Sequence, residues 1–128
     1  MIVVSDSGPI IALSKINQLS ILKHHFGAIH ISEATYYELV KKGKGRFGSK
    51  EVENADWIKV AKVKDDVPVK VLELELDRGE AETIILGNEL KADLILLDES
   101  IARKVAHMLN LKVKGTISEK EIYDCLSR

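Results

Sequence analysis

Asp6 and Asp98 each close a short hydrophobic run, Ile2-Val3-Val4 followed by Ser5 before the first and Leu94-Ile95-Leu96-Leu97 before the second. If both runs are strands, both carboxylates lie at strand carboxyl ends, the edge where open α/β sheets bind ligands. Two carboxylates brought together there repel each other. An oxygen-lined site without cysteine or histidine suits a hard cation such as Mg²⁺ or Mn²⁺. Taken singly, each acid is equally well explained as an N-cap or turn residue after a strand; the pair is what points to chemistry.

The intervening sequence must fold so that these ends meet. Ser5-Asp6-Ser7-Gly8-Pro9 stops the first run, and proline suits the first turn of a helix, so the opening reads strand, turn, helix. Residues 19–26 form a second helical stretch closed by Gly27, and Ile29-His30-Ile31 a short strand. Ser32 is an N-cap for a helix over about 33–42. Residues 41–50 read as a loop, and Trp57-Ile58-Lys59-Val60 resumes strand character. Residues 69–76 alternate apolar and polar but lead directly into a helix, and are read as helical.

A helix over 79–90, the strand ending at Asp98, a helix over 101–109 and a strand Leu111-Lys112-Val113 follow. Ser118-Glu119-Lys120-Glu121 is a capping box opening a last helix. Strands alternating with helices imply an α/β fold, a three-layer α/β/α sandwich with a mostly parallel central sheet covered on both faces. The 128 residues, 45% of them hydrophobic, suffice for one core and not two, so the expectation is a single domain over 1–128.

Val4-Ser5-Asp6-Ser7-Gly8-Pro9, Glu38-Leu39, Gly79-Glu80-Ala81-Glu82 and Leu96-Leu97-Asp98-Glu99 occur in this order. In this ordered spacing the chain resembles PIN-domain proteins, most closely the small prokaryotic branch neighbouring the VapC toxins. The resemblance runs from residue 2 through Lys114-Gly115-Thr116. It implies four acids that converge at the sheet edge on one or two divalent ions, Mg²⁺ or Mn²⁺. Matched position by position, these catalytic and metal-binding residues are Asp6, Glu38, Glu80 and Asp98.

The implied activity is metal-dependent endoribonuclease cleavage of RNA, as the toxin of a toxin–antitoxin pair. The implied partners are RNA, a small antitoxin protein and a second copy in a homodimer. Two departures stand out. Many relatives carry proline where Ile31-Ser32 enters the helix, and toxin relatives usually carry aspartate where this chain has Glu80.

Local periodicity treats these acids unequally. Tyr36, Leu39 and Val40 define the apolar stripe of their helix and Glu38 points roughly opposite, into solvent. Glu80 shares a face with Ile84 and Glu82 with Leu86, so Glu82 is the alternative ligand. Asp77-Arg78-Gly79-Glu80 is also a capping box, which explains Glu80 without any metal. Ser7 reads first as a turn hydroxyl and second as a ligand.

Gly43-Lys44-Gly45-Arg46-Phe47-Gly48 matches a dinucleotide fingerprint by letter, but it follows a helix rather than a strand and is rejected. What remains is a basic loop in which Lys44 and Arg46, flanked by Lys41, Lys42 and Lys50, are candidates for gripping RNA phosphates; a solvated helix end is the equal alternative. Arg103, with Lys104, follows Asp98 by about one turn and is a further candidate phosphate contact. Glu99 is a candidate outer-shell acid. His24 and His25 join no ligand cluster, and Cys125 has no motif around it.

The formal net charge is -1, so any nucleic-acid contact must be a local patch. A lone cysteine excludes a disulfide framework and a cysteine-rich zinc site and fits a reducing cytoplasm. No secretion signal or membrane-spanning run is present, so the reading is cytoplasmic, with no membrane partner. Two other functions fit the acids less fully. One is a PIN-like module that binds RNA or a partner without cleaving. The other is a phosphotransferase with Asp6 as nucleophile, weakened because Gly8 stands where haloacid-dehalogenase-like enzymes carry a second aspartate.

Overall fold

The computed structural model describes residues 1–98 and 100–114; Glu99, the capping box at 118–121 and Cys125 lie outside the described residues. Among the described residues, five strands form one sheet: β1 (Val3–Ser5), β2 (Ile29–Ser32), β3 (Ile58–Ala61), β4 (Leu94–Leu96) and β5 (Val113–Lys114). Their order is β3-β2-β1-β4-β5, and every pair is parallel. The chain builds outward from β1 through β2 to β3, then crosses back to lay β4 and β5 on the other side. The strand order therefore reverses between β1 and β4, the point at which a parallel sheet opens a crevice beyond its carboxyl ends.

Helices cover both faces. Val3 and Leu96 point into one core with residues of α1 (Ser7–Lys15), α2 (Ser20–Phe26) and α4 (Ser49–Asn54). Val4, Ile95 and Leu97 point into the other with α5 (Asp66–Leu72), α6 (Arg78–Glu89) and α7 (Ser100–Met108). Adjacent residues on β1 and β4 thus feed opposite cores, as the two-residue period of a strand requires. This is the expected three-layer α/β/α arrangement.

The region 33–42 differs from a regular helix. α3 (Glu33–Tyr36) is capped by Ser32, whose hydroxyl accepts from the Thr35 N–H at 3.1 Å, and then runs into a π-helical segment, Tyr37–Lys42. Two readings in the centre of the chain are corrected. The expected loop at 41–50 is confined to turns before Ser49, where α4 begins. The helix expected over 69–76 instead spans Asp66–Leu72, with Asp65 accepting from the Val67 N–H at 3.1 Å as its cap. Glycine and lysine obscured the first; the second is set by its cap rather than by its apolar pattern.

α6 is buried at Gly79 and from Ala81 through Gly87, and Gly87 lets it approach β4: a Cβ there would clash with Ile95 Cδ1. Gly87→Ala should therefore destabilise the protein by about 1–3 kcal/mol despite the helix propensity of alanine. Urea melts check this. Adding Ile95→Val, which removes the clashing methyl, should recover part of the loss.

Candidate active site

The site is built where four chain segments meet. Asp6 leaves β1, its N–H donating to the Leu96 carbonyl at 3.0 Å, and begins α1 as N-cap residue without using its carboxylate as a cap. That carboxylate is buried and accepts a longer hydrogen bond, 3.5 Å, from the Thr35 hydroxyl. Burial raises its pKa to about 7, opposed by the Ser7 backbone N–H and reinforced by the charges of Asp77, Glu38 and Glu80.

Glu38 is half-buried, and the Ser7 hydroxyl donates to its Oε2 at 2.5 Å. This corrects the expectation that periodicity would place Glu38 in solvent. Leu39 and Val40 do enter the core, but the opposite side of the segment faces the start of α6 rather than water: a Cβ on Gly79 would stand 3.6 Å from Glu38 Oε1. The same hypothetical Cβ would lie 3.6 Å from Asp6 Oδ1 and 3.6 Å from Asp77 Oδ1. Three carboxylates from three segments thus surround one glycine.

Asp77 was read from the sequence only as a cap. It is a cap, its Oδ1 accepting from the Glu80 N–H at 2.8 Å while Glu80 Oε1 accepts from the Asp77 N–H at 3.0 Å. The reciprocal box also sets both acids at the mouth of α6, close enough for each to raise Asp6. The signal was present in the motif: a capping box that opens onto a sheet edge delivers two carboxylates, not one.

Glu82 has a different job. It is buried, its Oε1 accepts from the Ala34 N–H at 3.1 Å, and its Oε2 accepts from Arg78 Nε at 2.7 Å, so it ties α6 to α3. Arg78 also reaches Glu73 at 2.8 Å and Asp66 at 2.6 Å, and these three acids hold its pKa above the usual value. The one cation beside Asp77 and Gly79 in sequence is thereby turned away from the site. Among the described residues, no lysine, arginine or histidine forms an ion pair with Asp6, Glu38 or Asp77.

Asp98 follows β4 and is exposed, and it lies against the first turn of α1: a Cβ on Gly8 would come within 3.0 Å of Asp98 Oδ2. Asp98 and Asp6 therefore flank the switch point, with Gly8 permitting the approach. Among the described residues no three acidic, histidine or cysteine side chains are close enough to form a finished metal cage. The carboxylates ring a space rather than closing on one point.

A family model described as a PIN domain matches residues 2–118. The chain belongs to the PIN-domain family. Among solved structures, a PilT N-terminus domain protein from the hyperthermophilic archaeon Sulfolobus solfataricus P2 is similar to this PIN domain, with a TM-score of 0.69 at 19% identity. The match covers 100% of this chain and 96% of that one, and it shows a shared fold. No curated protein matches the chain. Lys44 and Arg46 are exposed in the turns before α4, and Arg103 is half-buried on α7. His24 and His25 are exposed on α2. No helix among the described residues is long and apolar enough to cross a membrane.

The Asp6 shift has a consequence for stability. With a folded pKa of about 7 and an unfolded one near 3.9, the folded protein holds a proton between those values that the unfolded chain releases. Stability is therefore full below about pH 4, falls as pH rises to about 7, and is level above. The full displacement corresponds to roughly 4 kcal/mol, an upper bound because side chains reorient. Asp6→Asn cannot titrate, so in divalent-free buffer it should melt above wild type at pH 8 and close to it near pH 4.

Proposed function

We propose that this PIN domain is a divalent-metal-dependent endoribonuclease, with Asp6, Glu38, Glu80 and Asp98 as its acids and Asp77 added to them. The observation that carries the reading is the convergence of carboxylates about Gly79 with no cationic side chain set against Asp6, Glu38 or Asp77 among the described residues. A protein that buries an aspartate among acids and diverts the neighbouring arginine is organised to receive positive charge from outside. All the donors are hard oxygens, which fits Mg²⁺ or Mn²⁺.

These carboxylates would hold a divalent cation, which would supply positive charge to polarise a phosphodiester and to favour ionisation of water. The chain's residues set the stage for it. Thr35 and the Ser7 N–H hold the Asp6 carboxylate, the Ser7 hydroxyl orients Glu38, and the capping box fixes Asp77 and Glu80 at the start of α6. Asp98 stands on the other bank of the crevice, where a strand laid along the sheet edge would pass between it and Asp6.

Cleavage of a labelled RNA should appear with Mg²⁺ or Mn²⁺ and vanish with chelator; cleavage undiminished by excess chelator would defeat the metal reading. Asp6→Asn and Asp98→Asn should each lower the rate by more than the about 10–100-fold typical of outer-shell partners. Gly79→Ala gives a more pointed outcome. Its methyl meets the carboxylates at ordinary contact distance, so the protein should melt at or above wild type through better helix propensity, by up to about 1 kcal/mol. The methyl nevertheless fills the space the carboxylates surround, and activity should be lost. An active Gly79→Ala protein would move the site elsewhere.

A further inference from the structure

Away from the acids, α1, the turns before α4 and the first turn of α4 form an open cleft of about 770 Å³, lined by Ile11, Lys15, Arg46, Phe47, Lys50 and Glu51, with Gly45 completing it. This is the size of pockets that take organic ligands, about 300–1,000 Å³. Two features mark its chemistry. Phe47 is 57% exposed, an aromatic ring left in solvent; among the described residues the other large exposed aromatic is Tyr37. Lys15, Arg46 and Lys50 outnumber the single Glu51, and among the described residues none of the three forms an ion pair.

The turns are built to hold this arrangement. Gly45 and Gly48 take positive φ of 84° and 90°, a conformation that side chains rarely adopt, and Gly48 packs close to Ser14 and Ile10 of α1. The loop is thereby seated on α1 with Phe47 turned outward. α1 itself connects the cleft to the acids: it begins at Ser7, bonded to Glu38, and ends at Lys15, about 12 Å along its axis.

We infer that this cleft is a binding site for single-stranded RNA, with an unpaired base stacked on Phe47 and the flanking phosphates held by Lys15, Arg46 and Lys50. Exposed aromatic faces within a cationic groove are the recurrent means of binding unpaired bases, whereas a duplex hides its base faces. The identity of the strand as RNA rests on the nuclease reading above. The site differs from the basic loop expected from sequence: Lys15 comes from α1, Phe47 supplies the stacking face, and Lys44 does not line the cleft.

The test is the fluorescence anisotropy of a labelled oligouridylate of about ten nucleotides, a length within known site sizes. It is run in EDTA so that no metal-dependent cleavage intervenes. Phe47→Ala should weaken binding about tenfold or more, and Phe47→Trp should keep it. Lys15→Ala, Arg46→Ala and Lys50→Ala together should lower the slope of log affinity against log salt by up to about 2, the value for three phosphate contacts on a single strand. Phe47 is exposed, so Phe47→Ala should melt as wild type. Binding by Phe47→Ala within about twofold of wild type would overturn the proposal. So would equal competition by a blunt RNA duplex, or by uridine monophosphate at the same concentration. Metal-dependent hydrolysis of bis(p-nitrophenyl) phosphate, too small to span both places, separates this result from the nuclease reading. If that hydrolysis persists while Phe47 has no effect on the strand, the cleft proposal alone fails. If no hydrolysis occurs but binding depends on Phe47, the cleft stands and the nuclease reading fails.

Discussion

A buried carboxylate with acidic neighbours and no cationic partner is the constraint on which the arrangement depends. Asp6 is taken out of water at the end of β1, and Asp77, Glu38 and Glu80 all add to its reluctance to ionise. Such a cluster costs stability unless something offsets it. Part of the offset is local: the Ser7 N–H binds the Asp6 carboxylate, and the acids gather at the starts of α1 and α6, where helix dipoles favour negative charge. On the proposed reading, the rest falls to a divalent cation.

The fold can be seen as the means of creating that demand. Reversal of strand order between β1 and β4 opens the crevice, and the two short strands deliver Asp6 and Asp98 to its banks. α6, buried along most of its length, carries its capping box to the same edge. Glu82 clamps α6 to the Ala34 N–H and, with Glu73 and Asp66, occupies Arg78. Two acidic groups that meet at the start of α6 therefore divide the work. The three acids around Arg78 neutralise a cation at the surface, and the group around Gly79 is left without one from Arg78. Were Arg78 to fold back over Gly79, it would quench the site from within.

Much of this was legible in the residues. The hydrophobic runs before Asp6 and Asp98 marked strands whose ends would meet, and the alternation of strands and helices implied a parallel sheet with both faces covered. Glu38 was not readable from periodicity, because the rule that the side opposite the apolar stripe faces solvent fails when another helix start lies there; only the family resemblance singled it out. Asp77 was missed because a complete local explanation, capping, removed the reason to look for a second role. Glu82 was weighed as a ligand from its helical face alone, which could not reveal that Ala34, distant in sequence, needed an acceptor. α4 was hidden by the glycines and lysines that precede it.

The central claim is that the carboxylates around Gly79, flanked by Asp98, form a cation site. The most direct measurement is an anomalous difference map from crystals grown with Mn²⁺. The account predicts density between Asp6 and its neighbours Glu38, Asp77, Glu80 or Asp98, with carboxylate oxygens at about 2.0–2.2 Å once side chains have closed on the ion. It also predicts that this density disappears in Asp6→Asn crystals grown the same way. A well-ordered map with no density beside Asp6, or with Mn²⁺ bound only by Asp66, Glu73 or Glu82, would contradict it.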